Sequence, residues 1–281
     1  MASKYYIGII IIVICVLLIV LIRTSSQRKP ITFRIYYDKI TPIILDGMSK
    51  YNLNIVEGSF FEKKDVVFLH SQSSKVVGYL SLIEIGYWDT PLVSSLNEED
   101  YLLNDFNEKT KNLSKTNFLG DLSSKHYRDV LFKYLKIRIL DKGMDGVFFD
   151  TLDWIDYYAN DKRIYDKLTE GYKSFLMELR QKYPEILIIQ NRGFESYEKF
   201  SNNYINGILW ENFKSPYIEN DSNKIKEFKE FNRMTRLNKT DVFVISFENE
   251  NENRKIAKKF KWNFAYSQMD NRYSKWDILL R

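Results

Sequence analysis

The sequence holds one cysteine, Cys15, and two histidines, His70 and His126, among 281 residues. One cysteine excludes an internal disulfide, which leaves either redox compartment open to a chain long enough to build its own core. Two histidines, neither at the end of a strand-like run, argue against a histidine-rich zinc hydrolase or a histidine-based phosphodiesterase. There is no G-x-S-x-G elbow, no phosphate-binding G-x-x-x-x-G-K-[ST] loop and no G-x-G-x-x-G turn. The acidic stretch NEEDYLLNDFNEK lacks calcium-loop spacing and reads as a solvated insertion. A basic excess is missing too. Residues 1–29 hold four of the 42 Lys and Arg and no Asp or Glu, so residues 30–281 carry 38 basic against 37 acidic groups. A near-neutral surface removes the main support for nucleic-acid binding.

Tyr5 to Ile22 is an uncharged apolar run close to the roughly 20 residues that span a bilayer. It ends in Leu21-Ile22-Arg23 with no small-x-small cleavage site, so it reads as an uncleaved single-pass anchor, cleavage within TSSQ being the lesser reading. The expected organisation is a short segment 1–4, an anchor 5–22, a polar linker 23–30 and one domain over 31–281. Lys4 lies on one side of the run, and Arg23, Arg28 and Lys29 on the other; taken alone, the positive-inside rule leans toward a cytoplasmic domain.

Beyond the linker, short β-rich runs alternate with longer amphipathic stretches. Strands are expected at 33–37, 53–58, 76–84, 146–150, 185–191, 207–211, 241–247 and 263–267. In KHYRDVLFKYLKIRILDKG, Tyr127, Val130, Leu131, Tyr134 and Leu135 recur at helical spacing, Gly143 supplies a stop, and Arg138 interrupts the stripe. Eight strand–helix units in one α/β domain of this length favour a (β/α)8 TIM barrel over a doubly wound sheet. The segment 85–122 breaks the rhythm and reads as an insertion after the third strand.

In such a barrel the site lies at the carboxyl ends of the strands. The last polar residues of the runs are Asp38, Glu84, Asp150, Asn191 with Arg192, Glu211, Ser246 with Glu248, and Gln268. Asp150 and Glu211 follow apolar runs directly, in GVFFD and GILWE. A carboxyl pair on neighbouring strands is what glycoside hydrolysis requires, one protonated to release the leaving oxygen and one ionised. Trp88, Trp154, Tyr157, Tyr158, Trp210 and Phe213 lie near these ends in sequence and offer flat rings for sugar faces. Trp210, next to Glu211, could raise a carboxyl pKa by desolvation.

The combination YLSLIEIGYWD, GMDGVFFDTLD, IIQNRGFE and GILWENF resembles the endo-α-1,4-polygalactosaminidase family, glycoside hydrolase family 114. The resemblance covers most of residues 31–270, and GxDGVFxDxxD is its most specific piece. It implies an extracellular (β/α)8 barrel that cuts galactosamine-containing polymers, and no metal or organic cofactor is implied. Asp150 matches the fourth-strand nucleophile or base, Glu211 the general acid and Asp153 the second acid of the motif. The third-strand motif departs from the family, with Ile83 where relatives carry glycine before the acid. Glu84, Asp153, Asn191, Arg192, Trp210 and Tyr37 are the expected substrate-binding residues. The implied partners are a polysaccharide and, through the N-terminal helix, the cell membrane, with the domain extracellular against the lean of the flanking charges.

Each residue also has a plainer reading. Asp150 suits a helix N-cap, Asp156 a solvated face, and Glu211 an ion pair with Lys214 or Arg192. A barrel without activity that binds an envelope polysaccharide or scaffolds an envelope complex is the alternative function, since barrels host many.

Overall fold

The computed structural model describes residues 29–104, 106–216, 220–267, 273–274 and 276. The expected anchor at 5–22, most of the linker and Gln268 lie outside the described residues. Among those described, no helix is long and apolar enough to cross a membrane. Two compact units divide the chain, Met1–Pro30 and Ile31–Arg281, and the second carries the fold.

Among the described residues ten strands form: β1 (Phe33–Tyr36), β2 (Leu53–Val56), β3 (Lys75–Ser81), β4 (Glu84–Gly86), β5 (Asn117–Leu119), β6 (Gly146–Asp150), β7 (Leu187–Asn191), β8 (Gly207–Trp210), β9 (Asp241–Ser246) and β10 (Asn263–Tyr266). Eight of them make one parallel sheet in the order β1-β2-β3-β6-β7-β8-β9-β10. β10 comes back beside β1, giving a nearly closed barrel. No ladder joins those two edges among the described residues. The seam is bridged at one end by Ile31 N–H to Asn263 Oδ1 (2.8 Å) and at the other by Tyr37 N–H to the Tyr273 carbonyl (2.8 Å). These bonds satisfy edge groups that a ladder would otherwise pair.

Nine helices are described: α1 (Pro42–Met48), α2 (Lys63–Ser71), α3 (Thr90–Val93), α4 (Lys125–Arg138), α5 (Asp153–Tyr157), α6 (Lys162–Lys182), α7 (Phe194–Lys199), α8 (Ser222–Leu237) and α9 (Glu250–Phe260). The Ser124 hydroxyl caps α4 by accepting from Tyr127 N–H, and Gly143 takes the left-handed conformation (φ 81°) that turns the chain into β6. Tyr127, Leu131 and Leu135, from the expected stripe, are fully buried.

Strand alternation makes two cores. Ile35, Ile55, Val77, Phe148, Ile189, Leu209, Phe243 and Ile245 fill the barrel interior, while neighbours such as Val56, Val76, Val147, Phe149, Ile188 and Ile208 face the helices. Each fully buried side chain of this kind stabilises the fold by about 1.5–3 kcal/mol relative to exposure.

The run expected as one strand over 76–84 divides. β3 ends at Ser81, and Glu84 opens β4, which pairs antiparallel with β5. The divider is Thr151: its Oγ1 accepts Ile83 N–H (2.9 Å) and Glu84 N–H (3.1 Å), drawing the chain off the β3–β6 ladder. The insertion at 85–122 thus contains a small hairpin and helix α3.

Candidate active site

The alternation that fills the interior also selects the residues above it. Moving two positions on from Ile35, Val77, Phe148, Ile189, Leu209 and Ile245 gives Tyr37, Tyr79, Asp150, Asn191, Glu211 and Phe247. All six line the same cleft at the carboxyl ends of the strands. It has two lobes, of about 650 and 600 Å³, which share Glu57, Tyr79, Trp88, Asp89, Arg138, Asp150, Asn191 and Glu211.

Asp150 and Glu211 meet through Asn191. The Asn191 Nδ2 donates to Asp150 Oδ1 at 2.8 Å and to Glu211 Oε2 at 3.3 Å. These two oxygens therefore stand no farther apart than the sum of those distances. Thr151 N–H donates to Asp150 Oδ1 (2.8 Å), and the Tyr273 hydroxyl donates to Glu211 Oε1 (2.8 Å). Burial pushes the Asp150 carboxyl up to about 6; the Glu211 carboxylate adds to the rise, while the Asn191, Thr151 and Tyr79 donors hold it down.

The backbone turns abruptly after each of these three residues. Thr151 (φ 68°), Arg192 (φ 50°) and Asn212 (φ 53°) immediately follow Asp150, Asn191 and Glu211, and all three are left-handed. Such a conformation costs of order 1–3 kcal/mol at a non-glycine residue and persists only where the surroundings fix it. Thr151 is fixed by its hydroxyl, which also donates to the Asp150 carbonyl (2.6 Å) and contacts Ser81 Oγ (3.1 Å). Arg192 is tied by its N–H to the Leu209 carbonyl (2.9 Å).

Among the expected binding residues, Tyr37, Asp153, Asn191 and Arg192 line the cleft. Arg192 pairs with Asp153 (3.4 Å) and reaches the Glu211 carbonyl (3.4 Å) rather than its carboxylate. Glu84 also borders the cleft, but three donors occupy its carboxylate: Asn117 Nδ2 (2.7 Å) and Asn112 Nδ2 (3.0 Å) on Oε2, and Trp154 Nε1 (2.8 Å) on Oε1. It ties the hairpin to α5. Trp210 does not line the cleft. Strand alternation turns it outward into an aromatic cluster with Phe194 (5.0 Å), Phe213 (5.3 Å) and Phe231 (5.9 Å), so it is not a wall beside the Glu211 carboxyl.

Asp38, Ser246 and Glu248 do not border the cleft. Asp38 accepts from Lys39 N–H, and buried Ser246 links the Phe213 and Glu248 carbonyls. Asp156, read as solvated, accepts from Glu195 N–H (3.2 Å) at the start of α7, and burial pushes it up to about 6. Sequence reading missed Tyr79, Tyr273, Glu57, Asp89 and Arg138. Tyr79 shares the interior parity of Val77, a signal present in the strand; Arg138 was visible as the break in the α4 stripe.

Of the aromatics expected near the strand ends, Trp88 borders the cleft and is 66% exposed. Trp154 packs against Tyr157 (5.0 Å) and Tyr158 (6.1 Å), and Phe213 is buried.

The profile of glycoside-hydrolase family GH114 matches residues 27–276. No curated protein matches the sequence. Among solved structures, the glycoside hydrolase domain of PelA from Pseudomonas aeruginosa superposes with a TM-score of 0.67 at 19% identity, over 85% of this chain and 95% of that one. Ega3 from Aspergillus fumigatus, solved in complex with galactosamine, gives 0.59 at 15% identity, over 86% and 93%. The α-galactosidase TtGalA from Thermus thermophilus, in complex with stachyose, gives 0.55 at 11% identity, over 86% and 60%. At these identities the likeness is one of fold.

Proposed function

This chain belongs to glycoside-hydrolase family GH114, and from that membership we propose that it hydrolyses a galactosamine-containing polysaccharide, with Asp150 as nucleophile and Glu211 as proton donor and acceptor. The observation that carries the assignment is the shared Asn191 amide, which holds the two carboxyls over one cleft. The two oxygens that share this amide stand no farther apart than its two bonds together, short of the roughly 6.5–9.5 Å that leaves room for an inverting water, which supports a retaining pair. In the first half-reaction Glu211 protonates the glycosidic oxygen as Asp150 attacks the anomeric carbon. In the second, Glu211 takes a proton from water as that water displaces Asp150, so the anomeric configuration is retained.

Charge in the cleft supports an amino sugar. Glu57, Glu84, Asp89, Asp150, Asp153 and Glu211 line one lobe with only Arg138 and Arg192, and both arginines are paired with carboxylates. A surplus of carboxylates favours a polymer bearing ammonium groups over a neutral or acidic one. The apolar run at 5–22 and the family resemblance support a barrel tethered to the outer face of the cell membrane.

The test is release of reducing ends from α-1,4-linked galactosamine polymer, with its fully N-acetylated form alongside. Asp150→Asn and Glu211→Gln should each abolish release without loss of fold, and proton NMR of the first products should show the α-anomer. Full activity in both variants would remove the catalytic assignment. Protease treatment of intact cells should release the barrel; a protected barrel would contradict the tethering.

A further inference from the structure

We infer that Tyr273, on the segment following the last barrel strand, is a positioning residue for Glu211, and that Trp276 anchors that segment to the barrel wall. The inference rests on Glu211 being the proton donor and acceptor proposed above.

The Tyr273 hydroxyl donates to Glu211 Oε1 at 2.8 Å. Burial pushes its own ionisation far upward, so the phenol keeps its proton and remains a donor throughout the working pH range. A carboxyl with one oxygen held by a standing donor is fixed in rotation. The Asn191 amide donates to the other oxygen, Oε2, only at 3.3 Å, so the shorter phenol bond makes Oε1 the standing acceptor and leaves the transferable proton to Oε2. Without the phenol, either oxygen could carry that proton and the carboxyl could turn away from the scissile bond, losing alignment that acid–base catalysis depends on.

The phenol is held by more than its ring. Its carbonyl accepts Tyr37 N–H (2.8 Å) at the seam where β1 lacks a ladder partner. The Tyr37 ring lies 5.6 Å from Tyr273 and 4.9 Å from Tyr79, whose hydroxyl faces Asp150. Three tyrosines thus run from one catalytic carboxyl to the other. Three residues farther on, Trp276 packs on the opposite face of β1, 5.7 Å from Tyr36, with the Arg34 guanidinium 5.4 Å from its ring centre. It also covers Gly47, where a Cβ would come within 2.7 Å of the indole. Tyr273 and Trp276 straddle the end of β1, the phenol inside and the indole outside.

Kinetics of the full chain on α-1,4-linked galactosamine polymer test this, with Glu211→Gln as reference. Tyr273→Phe keeps the ring and loses only the hydroxyl. Its kcat should fall roughly 10- to 100-fold with KM nearly unchanged, the scale of one hydrogen bond to a charged group. Trp276→Ala should reproduce the kcat loss and Trp276→Phe should recover most of it. A Tyr273→Phe enzyme with wild-type kcat, beside an inert Glu211→Gln, would overturn this inference and leave the proposed function standing. A Glu211→Gln enzyme as active as wild type, or a wild-type chain that does not cut the polymer, would overturn both.

Discussion

Arg138 grips Asp89 with both ends of its guanidinium, Nη1 to Oδ2 at 2.6 Å and Nη2 to Oδ1 at 2.7 Å. Arg138 is the last residue of α4, and Asp89 caps α3 by accepting from Leu92 N–H (3.3 Å). The Tyr134 ring lies 4.4 Å from the guanidinium. The pair pins the insertion to the barrel at the edge of the cleft, which explains why a charged residue stands where the α4 stripe calls for an apolar one.

Arg138→Lys keeps the charge but cannot reproduce two parallel bonds or the flat contact with Tyr134. It should lower stability by about 1–2 kcal/mol and raise KM more than it lowers kcat, because the cleft wall loosens while the proposed pair, Asp150 and Glu211, is untouched. Thermal melts and reducing-end kinetics measure both. An unchanged KM would separate this pair from substrate binding.

Thr151 holds an uncommon conformation for a β-branched residue because its hydroxyl serves Ile83 N–H, Glu84 N–H and the Asp150 carbonyl at once. Thr151→Val retains the shape and strands two backbone donors. The expected cost is about 2–4 kcal/mol from two unsatisfied groups, together with a drop in kcat as Asp150 loses its fixed approach. Thr151→Ser should keep most of both. A Val variant as stable as wild type in denaturant titration would show that water takes over these contacts.

Asp150 links activity and stability to pH in opposite senses. Its folded carboxyl is raised from 3.8 to about 6, chiefly by burial. The folded state therefore binds that proton more tightly than the unfolded chain, and this contribution to stability is complete below about pH 4 and lost as pH rises through 6. Asp150→Asn, which keeps an acceptor for Asn191 and Thr151, should match wild type near pH 4 and exceed it above pH 6. The gain is about 1–3 kcal/mol, the free energy that corresponds to a rise of this size in the carboxyl pKa. If Asp150 is the nucleophile proposed above, wild-type kcat/KM should fall as pH drops below about 6, when its carboxylate takes up a proton. Melting temperatures of the two proteins across pH 4 to 8 check the first expectation, and a variant that gains nothing at high pH would refute it.

The meeting of Asp150 and Glu211 over one cleft was legible because strand ends and interior parity are both written in one-dimensional order: GVFFD and GILWE each place a carboxyl two residues past an interior hydrophobe. The same parity contained Tyr79, which an eye fixed on terminal polar residues passes over. Tyr273 had no such signal, because NRYSKWD carries no periodicity and its contacts with Glu211 and Tyr37 depend on where the chain returns in space. Glu84 ends a β-rich run in sequence, yet Thr151, distant in sequence, decides where β3 stops.

Adjacency in sequence misleads most clearly at the tryptophans. Trp210 touches Glu211 along the chain, but it faces the helices and packs among Phe194, Phe213, Phe231 and Trp262. Trp88, 66% exposed at the rim, borders both lobes of the cleft and closes over Gly86. A flat ring open to solvent beside the carboxylates can lie on a sugar face and meet an ammonium group, and its removal leaves no cavity in a core. Trp88→Ala should raise KM for the galactosamine polymer about tenfold, the scale of one desolvated cation–ring or stacking contact of 1–2 kcal/mol, with the melting temperature held. Trp210→Ala should do the reverse, lowering stability by about 3–5 kcal/mol through a vacated aromatic core while the fraction still folded keeps its KM. Measuring both variants by melting and by kinetics separates the roles. Equal KM effects would mean that substrate reaches the outer aromatic cluster, and the cleft would then extend beyond the barrel mouth.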